Sequence, residues 1–197
     1  MILEPLPSCK NGPAAVEGVH MAIAFTLDDL LAYSDWEREV WHRWFRDNGA
    51  GALAVDLGRN NTGRIQTVGE LVRHIFSAEK RYVERCLKAP LTDTSAIAAD
   101  DVEQLFTFGV ESRRALRDLL ASFPDSEWEA PREMSFGTHS RVVTSRKMIL
   151  QAVTHELRHW AHVAAFVRQA GYKPGFHDLI ASPLFEAPAS ASGTNRS

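Results

Sequence analysis

At 197 residues with 45% apolar content, the chain has enough material to bury one core of ordinary domain size. Charged residues make up 24% and the formal charge is −3, so neither nucleic acid nor an anionic membrane is the expected partner. Two cysteines, Cys9 and Cys86, exclude a disulfide framework, and no apolar run approaches the roughly 18 residues that span a bilayer.

The first residues lack the basic-then-apolar pattern of a secretory signal, so the cytoplasm is the expected address. Residues 1–25 carry Pro5, Pro7, Gly12, Pro13 and Gly18 with weak periodicity and read as an irregular arm that includes His20. Thr26-Leu27-Asp28-Asp29 opens a first helix with a capping-box variant. Leu30, Leu31, Tyr33, Trp36, Val40, Trp41, Trp44 and Phe45 form its apolar stripe, and Asn48-Gly49 is its expected stop. The three tryptophans read as core and helix-seam packing. His42 has no assigned role.

After a long connection, Ala50 to Gln66, the run Thr67-Val68-Gly69-Glu70 gives a capping box for a second helix that ends before Pro90. His74 lies at the edge of its stripe of Leu71, Val72, Ile75 and Phe76, where a half-buried imidazole needs a partner. A Thr/Ser/Ala linker leads to a third helix that begins at Asp100-Asp101 and reaches Pro124. It holds no histidine and reads as a wall of the core. The partly alternating segment from Met134 to Val143, with Gly137 and His139, suits a short hairpin.

Thr144-Ser145 caps the last long helix, which closes at Ala170-Gly171. The apolar residues of 178–185, with His177 just before them, are expected to dock back on the body, and residues 186–197 read as a disordered tail. The fold class is therefore all-α: a four-helix bundle over residues 26–185, with a hairpin before the last helix. The long connections, roughly 18 and 20 residues, are expected to be functional or to carry a crossover. Basic residues are spread through the helices and read as solvated faces.

The chemistry lies in Thr154-His155-Glu156-Leu157-Arg158-His159-Trp160-Ala161-His162. On a helix, His159 falls roughly 40° from His155 and His162 roughly 20° on the other side, so all three imidazoles share a face. Neutral imidazole is the commonest ligand for late first-row metals, but two residues of an HxxxH pair do not close a site. With the second and fourth helices as neighbours, His74 meets His155 and His159 in an open three-histidine site. His162, one turn on, is read as a fourth ligand, a base behind the ligands, or a residue lining the pocket. Glu156 points about 100° away from His155 and is a poor ligand, free to cap a neighbouring helix or pair with Arg158. Nickel, zinc and iron all accept imidazole, and the spacing does not choose between them. Against this stands the plain reading of buried packing histidines.

These pieces resemble the DinB family. The matching segments are Thr67-Val68-Gly69-Glu70-Leu71-Val72-Arg73-His74-Ile75-Phe76, Thr154-His155-Glu156-Leu157-Arg158-His159-Trp160 and Arg168-Gln169-Ala170-Gly171. The resemblance implies a DinB/YfiT-like bundle with a divalent metal on His74, His155 and His159. It also implies a homodimer, and a transferase that uses a low-molecular-weight thiol, such as bacillithiol or mycothiol, against an electrophilic small molecule. His162 departs from the polar residue, often Gln, that this position carries in the family. Two other functions compete: a metal-dependent hydrolase, and a metal-binding stress-response protein without turnover.

Overall fold

The computed structural model describes residues 25–58, 65–136 and 138–186. The expected N-terminal arm up to residue 24, with Cys9 and His20, the middle of the first connection, and the tail beyond residue 186 lie outside the described residues. The elements in order are helices α1 (Leu27–Leu53), α2 (Val68–Cys86), α3 (Val102–Ser122) and the short α4 (Asp125–Trp128). Strands β1 (Pro131–Phe136) and β2 (His139–Thr144), helix α5 (Ser145–Gln169) and a one-turn 3-10 helix, Leu179–Ala181, follow. The expected helical bundle is present, and the expected hairpin is an antiparallel pair with Met134 opposite Arg141 and Phe136 opposite His139.

Local chemistry starts and stops the helices much as the sequence predicts. Thr26 Oγ1 accepts from the Asp29 amide (3.2 Å) while the Asp29 carboxylate accepts from the Thr26 amide (2.8 Å), a complete capping box. At α2 only half of the expected box closes. Thr67 Oγ1 accepts from the Glu70 amide at 3.2 Å, but the Glu70 carboxylate reaches one residue further back, to the Gln66 amide at 2.5 Å. The expected stop at Asn48-Gly49 is a break rather than an end. Gly49 takes φ 68°, open to glycine without strain, and helical turns resume because Ala52 and Leu53 are drawn into the core. At the far end of α5, Gly171 (φ 88°) lets the Tyr172 amide bond back to Val167 O at 2.9 Å.

The crossover is not where loop length placed it. The linker between α2 and α3 runs back along α2: Thr92 bonds to Glu84, Arg81 to Thr94, and Arg73 Nη1 to Ile97 O at 2.9 Å. Helix α3 therefore starts beside the start of α2 and runs parallel to it, and α5 returns alongside α1. The order is up, down, down, up. Helix α2 packs against both α5 and α3.

The core falls into two apolar layers. One gathers Trp41, Phe45, Val72, Phe76, Phe106, Trp160 and Val167, and the other Leu31, Val83, Leu116, Met148 and Val153. Between them every long helix contributes a buried charge: Arg38 from α1, Glu79 from α2, Arg113 from α3 and Glu156 from α5. The reading of basic residues as solvated faces fails here, because these two arginines lie inside the bundle and close on carboxylates. Glu156 accepts from Arg38 Nη2 (2.7 Å), Arg113 Nη2 (2.8 Å) and Trp160 Nε1 (3.1 Å). Glu79 accepts from Arg113 Nε (3.0 Å) and Ser112 Oγ (2.9 Å), and faces Arg38 at 3.0 Å.

The three tryptophans of α1 pack within the chain. Trp41 is fully buried and stacks on Trp160 at 5.6 Å, and Trp44 Nε1 donates to Lys173 O. Among the described residues no helix is long and apolar enough to cross a membrane.

Candidate metal centre

His74 projects from the middle of α2, and His155 and His159 from successive turns of α5, into the seam where these helices meet. Their Nε2 atoms converge. His155 Nε2 lies 3.1 Å from His74 Nε2 and 3.0 Å from His159 Nε2. All three ligand atoms fall within 4.8 Å of one another, and the residues are half-buried. The sequence prediction that α2 and α5 bring these three together therefore holds as geometry.

Three imidazoles alone cannot satisfy this arrangement. A neutral ring nitrogen either donates one hydrogen bond or accepts one in the ring plane. His155 Nε2 faces two other Nε2 atoms but has a single in-plane lone pair or proton, so at most one of these approaches is a well-directed hydrogen bond. A tetrahedral metal with bonds of about 2.0–2.1 Å would hold its nitrogens roughly 3.3 Å apart, close to the spacings observed. The donor set fits a divalent cation better than it fits itself.

Electrostatics keep the rings neutral and available. Burial, with His74 and Arg158 nearby, pushes His155 down to about 4. His159 falls to about 3 through burial and the neighbouring His155, His74 and His162. Burial and Arg81 lower His74 as well.

His162 stands behind the cluster rather than in it. Its ring is exposed, and its Nδ1 lies 3.4 Å from His159 Nδ1, the nitrogen turned away from the other two histidines. A partner at that atom is what fixes the orientation of a ligand imidazole. His155 lacks the equivalent, since its Nδ1 is buried with no partner among the described residues. Glu156 is not among the converging groups, and its expected pairing with Arg158 is replaced by the buried pairing with Arg38 and Arg113.

A cleft of about 430 Å³ opens along the same side of α5, lined by Tyr82, Met134, Arg141, Lys147, Met148 and Gln151, with His139 at the hairpin end. Gln151 precedes His155 by one helical turn, so cleft and histidines share a helix face. His139 thus borders the neighbouring cleft. His177 does not reach this side: it stacks on Trp41 on the far side of α5. His42 stacks on Phe106 at 4.4 Å. Of the residues expected to dock the tail, Leu179 and Leu184 are half-buried while Ile180 and Phe185 face outward.

The sequence matches the profile described as DinB family over residues 21–188. In fold the chain is similar to a DinB-like protein from Bacillus cereus ATCC 10987, known from a crystal structure. The TM-score is 0.57 at 15% identity, and the match covers 77% of this chain and 97% of that one. No curated protein matches the sequence.

Proposed function

The chain belongs to the DinB family, and on that premise we propose a divalent-metal protein whose ligands are His74, His155 and His159. Its proposed activity is transfer of a low-molecular-weight thiol to an electrophilic small molecule. The single observation that carries this reading is the convergence of three neutral Nε2 atoms that hydrogen bonds among themselves do not satisfy. A divalent ion, with nickel or zinc the first choices and iron next, supplies Lewis acidity that lowers the pKa of a water or thiol meeting it.

The protein's own residues have separable tasks in this reading. His159 turns Nε2 to the centre and Nδ1 to His162, whose exposed ring holds the imidazole in orientation, while the proton that the thiol gives up goes to solvent. The adjoining cleft seats the electrophile. Met134, Val143 and Met148 supply apolar contact there, and Arg141 and Lys147 favour a substrate bearing an anionic group. When the thiol sulfur bonds to the electrophilic carbon, the thiol loses its proton and the leaving group departs with its electron pair.

The test is the reaction of bacillithiol or mycothiol with monobromobimane, with nickel- or zinc-loaded protein. Acceleration over the thiol alone, lost in His155→Ala and reduced in His162→Ala, is the expected result. Absence of acceleration with either thiol overturns the transferase reading. Metal-dependent ester hydrolysis under the same conditions moves the assignment to a hydrolase.

A further inference from the structure

The opposite side of α5 holds a second polar site. Ala164 lies about 180° round the helix from His155, and with Trp160 it walls a cavity of about 290 Å³ that Tyr33, Glu37 and His177 also line, with the exposed Phe176 at its rim. Glu37 is 5% exposed, and its Oε2 has no hydrogen-bond partner among the described residues. Both ring nitrogens of His177 are buried and unpartnered too. The ring is nonetheless held firmly: it stacks on Trp41 at 4.2 Å, and its backbone carbonyl accepts from the Tyr33 hydroxyl at 2.6 Å.

Glu37 is an exception in this molecule. The other buried glutamates are all partnered: Glu79 and Glu156 by arginines, and Glu84 by Thr92 and Lys80. No salt bridge reaches Glu37 among the described residues, although Arg38 is its neighbour in sequence, because Arg38 is committed to Glu79 and Glu156. Burial raises the Glu37 carboxyl to about 8, and the charges of Glu156 and Asp178 add to the rise. The Trp41 indole N–H beside it lowers the carboxyl and offsets this only in part. Burial and Arg168 hold His177 down near 4, so its imidazole is neutral and keeps one free lone pair.

We infer that this cavity binds a small organic ammonium compound, whose N–H groups donate to Glu37 Oε2 and to the unprotonated ring nitrogen of His177. Its carbon portion rests on Trp160 and Phe176. Buried polar groups in native proteins find partners, and this pair asks for a donor of positive charge. The aromatic walls favour a cation over a neutral hydroxyl. An ammonium group beside Glu37 favours loss of the carboxyl proton, whereas an anion would oppose it and would also meet Asp178, with the exposed Arg168 at the rim to offset that charge. The site is separate from the histidine cluster, so it stands or falls independently of the metal.

The probes are phenethylammonium and butylammonium chloride, with 3-phenylpropionate as the anion of matched shape. Binding is followed by the fluorescence of Trp41 and Trp160 and by calorimetry on the full chain. Expected are saturable binding of the ammonium probes, none of the anion, and at least about tenfold weaker binding in Glu37→Gln, with the variant's metal content unchanged. If Glu37→Gln fails to fold, His177→Phe keeps the stack on Trp41 and is expected to weaken binding as well. The inference is overturned if neither ammonium probe binds, if phenylpropionate binds equally, or if a folded Glu37→Gln or His177→Phe binds as wild type does.

Discussion

His155 and Glu156 are adjacent in sequence, and they belong to opposite kinds of polar site. Glu156 is 1% exposed and its two oxygens are taken up by Arg38, Arg113 and Trp160. His155 sits half-buried with Nε2 crowded by two other Nε2 atoms and Nδ1 without a partner. A buried polar group that serves the fold closes on its neighbours, and one that serves a ligand leaves capacity open. Helix α5 carries one of each on faces about 100° apart.

If that contrast is right, damage to the two sites has opposite consequences. Glu156→Ala is expected to cause the largest loss of stability, roughly 3–5 kcal/mol, since it strands two buried arginines. Urea unfolding of the metal-free protein measures it, and a loss below about 1 kcal/mol would mean that the arginines re-pair with Glu79 and Asp35. The histidine side should respond to ligand instead. Nickel or zinc at about 100 times Kd is expected to stabilise wild type by about 2.7 kcal/mol and to leave His155→Ala unmoved.

Acid sharpens the comparison. His155 and His159 titrate near 4 and 3 in the folded protein, against 6.5 for a free imidazole, so the unfolded chain takes up protons first. Their contribution is intact above pH 6.5 and is lost as pH falls toward 4. Metal-free wild type should therefore lose more stability between pH 7 and pH 5 than the His155→Ala, His159→Ala double variant. Glu37 has the opposite sign. It is raised from 4.5 to about 8, so its contribution is present below 4.5 and is lost as pH rises toward 8. Urea midpoints of Glu37→Gln across that range should lack this decline.

The smallest effect lies at a helix start. Thr67→Ala removes the acceptor for the Glu70 amide and is expected to cost about 1 kcal/mol with metal binding intact. A loss of metal binding would show that His74 depends on the first turn of α2.

The local features of the molecule were legible in its sequence. Capping residues at Thr26, Thr67 and Thr144, apolar stripes and the hairpin are all encoded within a few residues of where they act. The histidine pair was legible for the same reason, because i and i+4 share a helix face whatever surrounds them. His74 needed one further step, the adjacency of two helices. The buried charge layer was not legible. Arg38 meets Glu156 across 118 residues, and an arginine on a helix carries no local mark of facing inward. The crossover was missed because loop length misled: the linker between α2 and α3 spans the bundle, pinned by Arg73 and Arg81. His177 had no role legible in the sequence, because its place beneath Trp41 depends on contacts far apart in the chain.

Metal content measured by plasma mass spectrometry tests the central claim most directly. Untagged wild type and the His74→Ala, His155→Ala, His159→Ala triple variant are compared after equilibration with nickel or zinc and removal of free ion. The account predicts near-stoichiometric metal in wild type and background in the triple variant, with both chains folded. No metal in wild type, or equal metal in both, would contradict it and return the three histidines to packing.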